Sequence, residues 1–183
     1  MSGMFRTAPG VRSGYDQDQV DAFFERARLA YEGRAEHMVT GGDVRRAAFD
    51  LRRGGYEIPA VDAALDRLER AFAEQHRAEY VAAHGRRAWS EGLAERARTL
   101  YGRLGRPEGE RFAPARTAHQ GYRREDVDAL CARLVAYFDE GRPLTSDEVR
   151  SATFRGAHGR KAYAEAPVDA FLERAVEVLL GVE

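Results

Sequence analysis

A chain of 183 residues, 44% hydrophobic and 32% charged, carries enough apolar material to bury a core in one domain or two small ones, and too much to stay disordered. Its formal net charge of −1 excludes a global basic field for nucleic acid or an anionic membrane, although 29 Lys and Arg residues leave room for local patches. The lone Cys131, in the apolar run ALCARLV, excludes an intrachain disulfide and reads as a small core residue rather than a reactive thiol.

The first arm, FRTAPGVRSGY, leads into a predicted helix with Asp16 as N-cap and Gln19 three residues on, as in a capping box. Tyr15 then precedes the cap and Val20 is the fourth helical residue, which makes them a hydrophobic staple. A short capped helix is expected from Thr40 to near Phe49, with the Phe anchoring the second arm. The second long helix starts around Pro59, where a missing N–H costs little, and runs past Phe72. Helical sequence continues from about Ala71 to Leu104, with Gly85 as a breaking point and an apolar edge of Trp89, Leu93, Ala97 and Leu100. GRPEGER, at Gly105 to Arg111, is the best boundary signal. A third helix follows Gly121-Tyr122, a second short one spans Thr145 to near Phe154, and a fourth long one follows Ala162-Tyr163. Gly14, Gly55 and Gly121 are expected to give a turn with positive φ before the Tyr; Ala162 breaks that rule.

The four long helices share a skeleton: GYDQDQVDAFFER, GYEIPAVDAALDR, GYRREDVDALCAR and AYAEAPVDAFLER. The common positions are Tyr15, Val20 and Asp21; Tyr56, Val61 and Asp62; Tyr122, Val127 and Asp128; Tyr163, Val168 and Asp169. Stepping four, seven and eleven residues from each Val meets only apolar or aromatic residues, a stripe that wants a partner helix. The Asp residues have two readings, a charge complementing the helix N-terminus or a hydrogen bond to an arm; both are structural. Phe5 to about Gln75 corresponds as a whole to Phe112 to about Gly181, a duplicated tandem. The expected fold is all-α, a helical bundle of four repeated arm-turn-helix units in two tandem pairs joined by a helical connector, with boundaries at 1–75, 76–110 and 111–183. Which units pair, and whether the helices run parallel, is left open by the sequence.

The arm-Gly-Tyr-x4-Val-Asp pattern resembles the N-terminal domain of DivIVA, the bacterial cell-division and polar scaffold. The closest copies are LTSDEVRSATFRGAHGRKAYAEAPVDAFLERAVEVL, VTGGDVRRAAFDLRRGGYEIPAVDAALDRLERAF and FRTAPGVRSGYDQDQVDAFFERA. The resemblance implies a parallel helix pair whose arms meet at a tip, where an exposed Phe and a basic neighbour hold the membrane. Three residues before each Tyr, at the tip Phe position, stand Arg12, Arg53, His119 and Arg160, none an apolar wedge; basic neighbours are Arg52 and Lys161. The family's long coiled coil has no counterpart after ERAVEVLLGVE, so pairing within one chain is expected to stand in for pairing between chains.

No catalytic constellation emerges. The five histidines, His37, His76, His84, His119 and His158, lack metal-ligand spacing, and no phosphate loop or nucleophile–base neighbourhood is present. Neither enzyme activity nor a cofactor or metal is expected. The reading is a non-catalytic scaffold or adaptor of the DivIVA-like type in bacterial division or polar growth. Its partners would be proteins of the division or envelope machinery, with homo-oligomers open. The alternative is membrane-surface binding through the basic tips Arg12, Arg52, Arg53, Arg160 and Lys161. A second alternative, a helix-turn-helix-like nucleic-acid binder, is disfavoured by the acidic EAPVD at the start of its recognition helix. MSGMFRTAPG has no signal-peptide core and no apolar run reaches span length, so the cytoplasm is expected, or the inner face of the cell membrane for the membrane alternative.

Overall fold

The structure, a computed structural model, describes residues 3–10, 12–34, 39–116 and 120–183. The elements in order are β1 (Ser13–Tyr15), α1 (Gln17–Tyr31), α2 (Gly41–Arg45), β2 (Leu51–Arg53), α3 (Ile58–Leu104), β3 (Gln120–Arg123), α4 (Arg124–Glu140), α5 (Ser146–Arg150), β4 (Gly156–His158), a 3-10 turn (Gly159–Lys161), β5 (Ala162–Tyr163) and α6 (Glu165–Val182). They form two compact units, Met1–Glu79 and Tyr80–Glu183. Within the second unit α3 breaks at Gly85, whose φ of 85° and ψ of 159° lie outside the helical region.

The fold is mixed, which corrects the all-α expectation of a bundle of four repeats. Helix predominates, but the arms pair into two small antiparallel sheets, β1-β2 and β4-β3-β5. The helical stripes carried the strong periodic signal; strands of two to four residues are too short for alternation to register. The glycines before the tyrosines explain how the arms can pair. Their φ values are not positive, contrary to expectation. A Cβ on Gly14 would instead lie 2.1 Å from the Tyr56 carbonyl oxygen, and one on Gly121 would lie 2.1 Å from that of Tyr163. Glycine is needed there because two backbones cross in contact.

Each strand hands the chain to a helix in one way. Tyr15, Tyr56, Tyr122 and Tyr163 stand immediately before the cap residue, and Val20, Val61, Val127 and Val168 are the fourth helical residues. All four valines are fully buried, each contributing about 1.5–3 kcal/mol by leaving water. In the first unit Val20, Tyr56 and Val61 share one cluster with Phe5, Tyr15, Phe24, Phe49 and Leu65. Eleven residues beyond the valines, the Tyr31 and Phe72 rings meet at 5.7 Å, so α1 and the first part of α3 run parallel. In the second unit α4 and α6 leave the paired strands β3 and β5 together, and at their far ends Tyr137 lies within electrostatic reach of Glu183. They too run parallel. The stretch 86–104 packs in this unit: the Trp89 indole N–H donates to the Gly181 carbonyl at 3.2 Å, and Leu100 and Leu104 are buried.

The short helices are shorter than expected, ending at Arg45 and Arg150, because the chain leaves helix to bring Phe49 and Phe154 onto the sheets. Both have full capping boxes, Thr40 with Asp43 and Thr145 with Glu148. The cap of α1 is only half a box. Asp16 accepts the Gln19 N–H at 3.0 Å, but the Gln19 amide turns away to Asp50. No helix among the described residues is long and apolar enough to cross a membrane.

Candidate functional site

The repeated tyrosines and aspartates meet by exchange. The Tyr56 hydroxyl sits 3.0 and 3.1 Å from the two carboxylate oxygens of Asp21, and Tyr15 in turn contacts Asp62. In the second unit the Tyr163 hydroxyl lies 3.2 and 3.1 Å from the Asp128 oxygens, and Tyr122 contacts Asp169. Each helix thus offers its Asp to the tyrosine that precedes the other helix of its pair.

The phenylalanines of the arms cross over in the same way. Phe5 packs edge-on against Tyr56 at 5.4 Å and Phe49 against Tyr15 at 5.4 Å; Phe112 meets Tyr163 at 5.3 Å and Phe154 meets Tyr122 at 5.1 Å. The backbone completes the exchange, since Tyr15 N–H donates to Tyr56 O at 3.0 Å and Tyr56 N–H to Tyr15 O at 2.8 Å. Tyr122 stands opposite Tyr163 in the other sheet. The result is a pseudo-twofold closure within each half of one chain.

Electrostatics follow burial. Desolvation, reinforced by Asp169, pushes the Tyr122 phenol up to about 12; desolvation, then the charge of Asp128, does the same for Tyr163. Tyr15 and Tyr56 are raised as well, again chiefly by burial. Asp62 is exposed over much of its surface, yet partial desolvation beside Tyr15 raises its carboxyl. Asp128 is the most enclosed of the four acids, and the Arg111 guanidinium reaches it at 3.1 Å while the Gly109 N–H donates to it at 2.8 Å. Cys131 is fully buried and its thiol is pushed up to about 12, so it is not a nucleophile at neutral pH.

The basic tip residues lie apart from this closure. Arg12 is exposed ahead of β1; Arg53 is exposed in β2, opposite Ser13; Arg52 is exposed and bonded to Asp16 at 2.7 Å. Arg160 and Lys161 are exposed in the 3-10 turn. His119, and His37 elsewhere, fall outside the described residues. Among the described residues no group of three or more His, Cys, Asp or Glu could hold a metal ion.

Three features lie outside the repeated skeleton. Arg111 falls in the boundary segment GRPEGER, yet it stands 107 residues after Met4, just as Tyr163 stands 107 after Tyr56. Leu51, 61% exposed, is the apolar residue at the first tip, five residues before its Tyr rather than three. The Gln19–Asp50 pairing was visible only as half of a cap. No protein-family model, no curated protein and no solved structure matches the chain.

Proposed function

We propose that the chain is a non-catalytic adaptor of the DivIVA-like type, serving bacterial division or polar growth. The observation that carries this reading is the exchanged closure. The four repeated tyrosine–aspartate pairs, two in each unit, hold the two arms and two helices of that unit together. Groups so engaged fix the shape of a surface. The sequence resemblance supplies the cellular setting. A fluorescent fusion expressed at native level in its own bacterium should collect at division sites or poles, and an evenly diffuse signal would overturn that setting.

A second reading, contact with an anionic membrane surface, is favoured by one observation. Leu51 is exposed beside Arg52 and Arg53 at the tip of the first unit. A few such cations contribute about 1 kcal/mol each near an anionic surface, and one inserted Leu adds about 1.5–3 kcal/mol at most. Co-sedimentation with phosphatidylglycerol vesicles that is lost in Arg53→Ala and Leu51→Ala, and weakened in Arg160→Ala, supports it. Vesicle binding unchanged in all three removes it.

A further inference from the structure

The first unit has an open groove of about 590 Å³ between α1 and the arm before β2, with an apolar floor that includes Phe23 and Phe49. Asp18 and Asp50 line one end of it and Arg26 the other. The guanidinium of Arg26 lies 5.9 Å from the Phe23 ring centroid and has no carboxylate partner among the described residues. Asp18 is likewise exposed without an ionic partner among them.

The second unit shows what the same place looks like when its charges are answered from within the chain. The counterpart of Arg26 is Arg133, which is bonded to Glu148 of α5. The counterparts of Asp18 and Gln19 are Glu125 and Asp126, and Arg155 is bonded to Asp126 and lies within electrostatic reach of Glu125. Arg123 is also bonded to Glu125 at 2.8 Å, so one acid over the Arg and two bases over the acidic end answer these charges from within the second unit. In the first unit all three are missing, and Asp16 stands in the place of Arg123. Asp43, in the place of Glu148, is held by Thr40 and Arg46. Asp50, in the place of Arg155, reverses the charge; its carboxylate accepts from the Gln19 amide at 2.7 Å, a neutral donor that leaves the charge unbalanced.

We propose that this groove binds an extended segment of a partner protein carrying a cation and a carboxylate about four residues apart, with an apolar side chain between them. The carboxylate pairs with Arg26 as Glu148 pairs with Arg133, and the cation lies over Asp18 and Asp50 as Arg155 lies over Asp126. The spacing follows from α1: eight residues of helix separate Asp18 and Arg26 by about 12 Å. An extended chain covers that distance in about four residues. The apolar side chain between them meets Phe23 and Phe49. The proposal rests on the adaptor reading only in taking the occupant to be a protein segment. Failure of the test below leaves the exchanged closure untouched.

The test uses the full-length chain, isotopically labelled, titrated with three blocked pentapeptides: Arg-Ser-Leu-Ser-Glu, Glu-Ser-Leu-Ser-Glu and Arg-Ser-Leu-Ser-Arg. The first should bind tightest and should shift the amides of Asp18 to Arg26 and of Ala47 to Asp50. Arg26→Glu should weaken the first probe roughly fivefold and make the doubly basic probe the best of the three; Arg26→Ala should fall between wild type and Arg26→Glu. Equal binding of the three probes to wild type, or an unchanged order in Arg26→Glu, overturns the proposal. So do shifts of the same amides with protein concentration alone, which would assign the groove to a second copy.

Discussion

Met4 and Arg111 occupy the same place in the two units, and the difference between them reorganises everything around the buried tyrosine. Both donate a backbone N–H to the tyrosine hydroxyl, Met4 to Tyr56 at 3.0 Å and Arg111 to Tyr163 at 3.2 Å. The Met4 side chain then leaves for solvent, and Asp21 stays half-exposed. The Arg111 side chain turns inward, 7% exposed, and Asp128 beside it is 5% exposed. A carboxylate can be taken that far out of water only beside a counter-charge. The arms repeat the lesson. Gln19 clamps the Asp50 backbone and side chain through its amide, whereas Asp126 clamps the Arg155 backbone and side chain as an ion pair. The crossing of the arms and the tyrosine–aspartate exchange are shared between the units; the side chains that reinforce them are not.

The sharpest way to break this comparison is to remove the counter-charge. Arg111→Ala should destabilise the second unit by about 3–5 kcal/mol, because Asp128 is left as a buried, poorly compensated anion. Amide hydrogen exchange should register the loss in residues 80–183, and adding Asp128→Asn should restore much of it. Met4→Ala, at the matching position, should change stability by less than about 0.5 kcal/mol. Equal costs for Arg111→Ala and Met4→Ala would mean that the buried ion pair is not what distinguishes the units. The next effect concerns the crossing backbones. Gly55→Ala would bring a methyl to 2.4 Å from the Tyr15 carbonyl oxygen and should cost about 1–3 kcal/mol in denaturant unfolding. The second unit already has Ala162 at the corresponding position, so Ala162→Gly should cost only about 1 kcal/mol, from one methyl and added chain entropy.

The helices were legible in the sequence because a stripe such as Val127, Cys131, Leu134 and Phe138 repeats over eleven residues and survives in four copies. The valines and tyrosines were legible for the same reason. The sheets were not: β5 is two residues long, and its pairing depends on Gly121 letting another strand touch it, a demand that looks identical to a turn in sequence. Exchange between the two repeats of a pair was also hidden. A repeat places Tyr and Asp at fixed spacing, but whether they bond within a unit or across a pair is decided in three dimensions. Arg26 and its groove were illegible because an unpaired Arg on a helix looks like any other until its counterpart, Arg133, is seen holding Glu148.

Smaller effects sharpen the comparison at the tyrosines. Tyr163→Phe should cost about 2 kcal/mol and Tyr56→Phe about 1 kcal/mol, since water can replace the lost bond at Asp21 more readily than at Asp128. On the alkaline side the sign follows from the raised phenols. An unfolded Tyr titrates near 10, whereas Tyr122 and Tyr163 are held at about 12 in the fold. Between those values the unfolded chain has released protons that the folded chain retains, so their stabilisation is whole below about pH 10 and is lost as pH rises through about 12. Tyr163→Phe should therefore flatten the alkaline decline in a series of denaturation midpoints. A decline as steep as wild type would remove Tyr163 from its cause.

The smallest expected change is read at one amide, and it asks whether the arms of the two units are held by different chemistry. Hydrogen bonding to Arg155 holds the Asp126 carboxyl down at about 2, below an ordinary Asp. Its contribution is therefore present above about pH 4, diminishes as pH falls and is lost through about 2. The Arg155 N–H donates to that carboxylate, so its chemical shift should titrate with a midpoint near 2. The Asp50 N–H donates instead to the Gln19 carbonyl oxygen, a group that does not ionise. Its acceptor should therefore impose no step on its shift near pH 2, and Gln19→Glu should add a titration through that bond that wild type lacks. If the two amides titrated alike in wild type, the ion pair in the second arm would be no more than a neighbour of the bond that holds it.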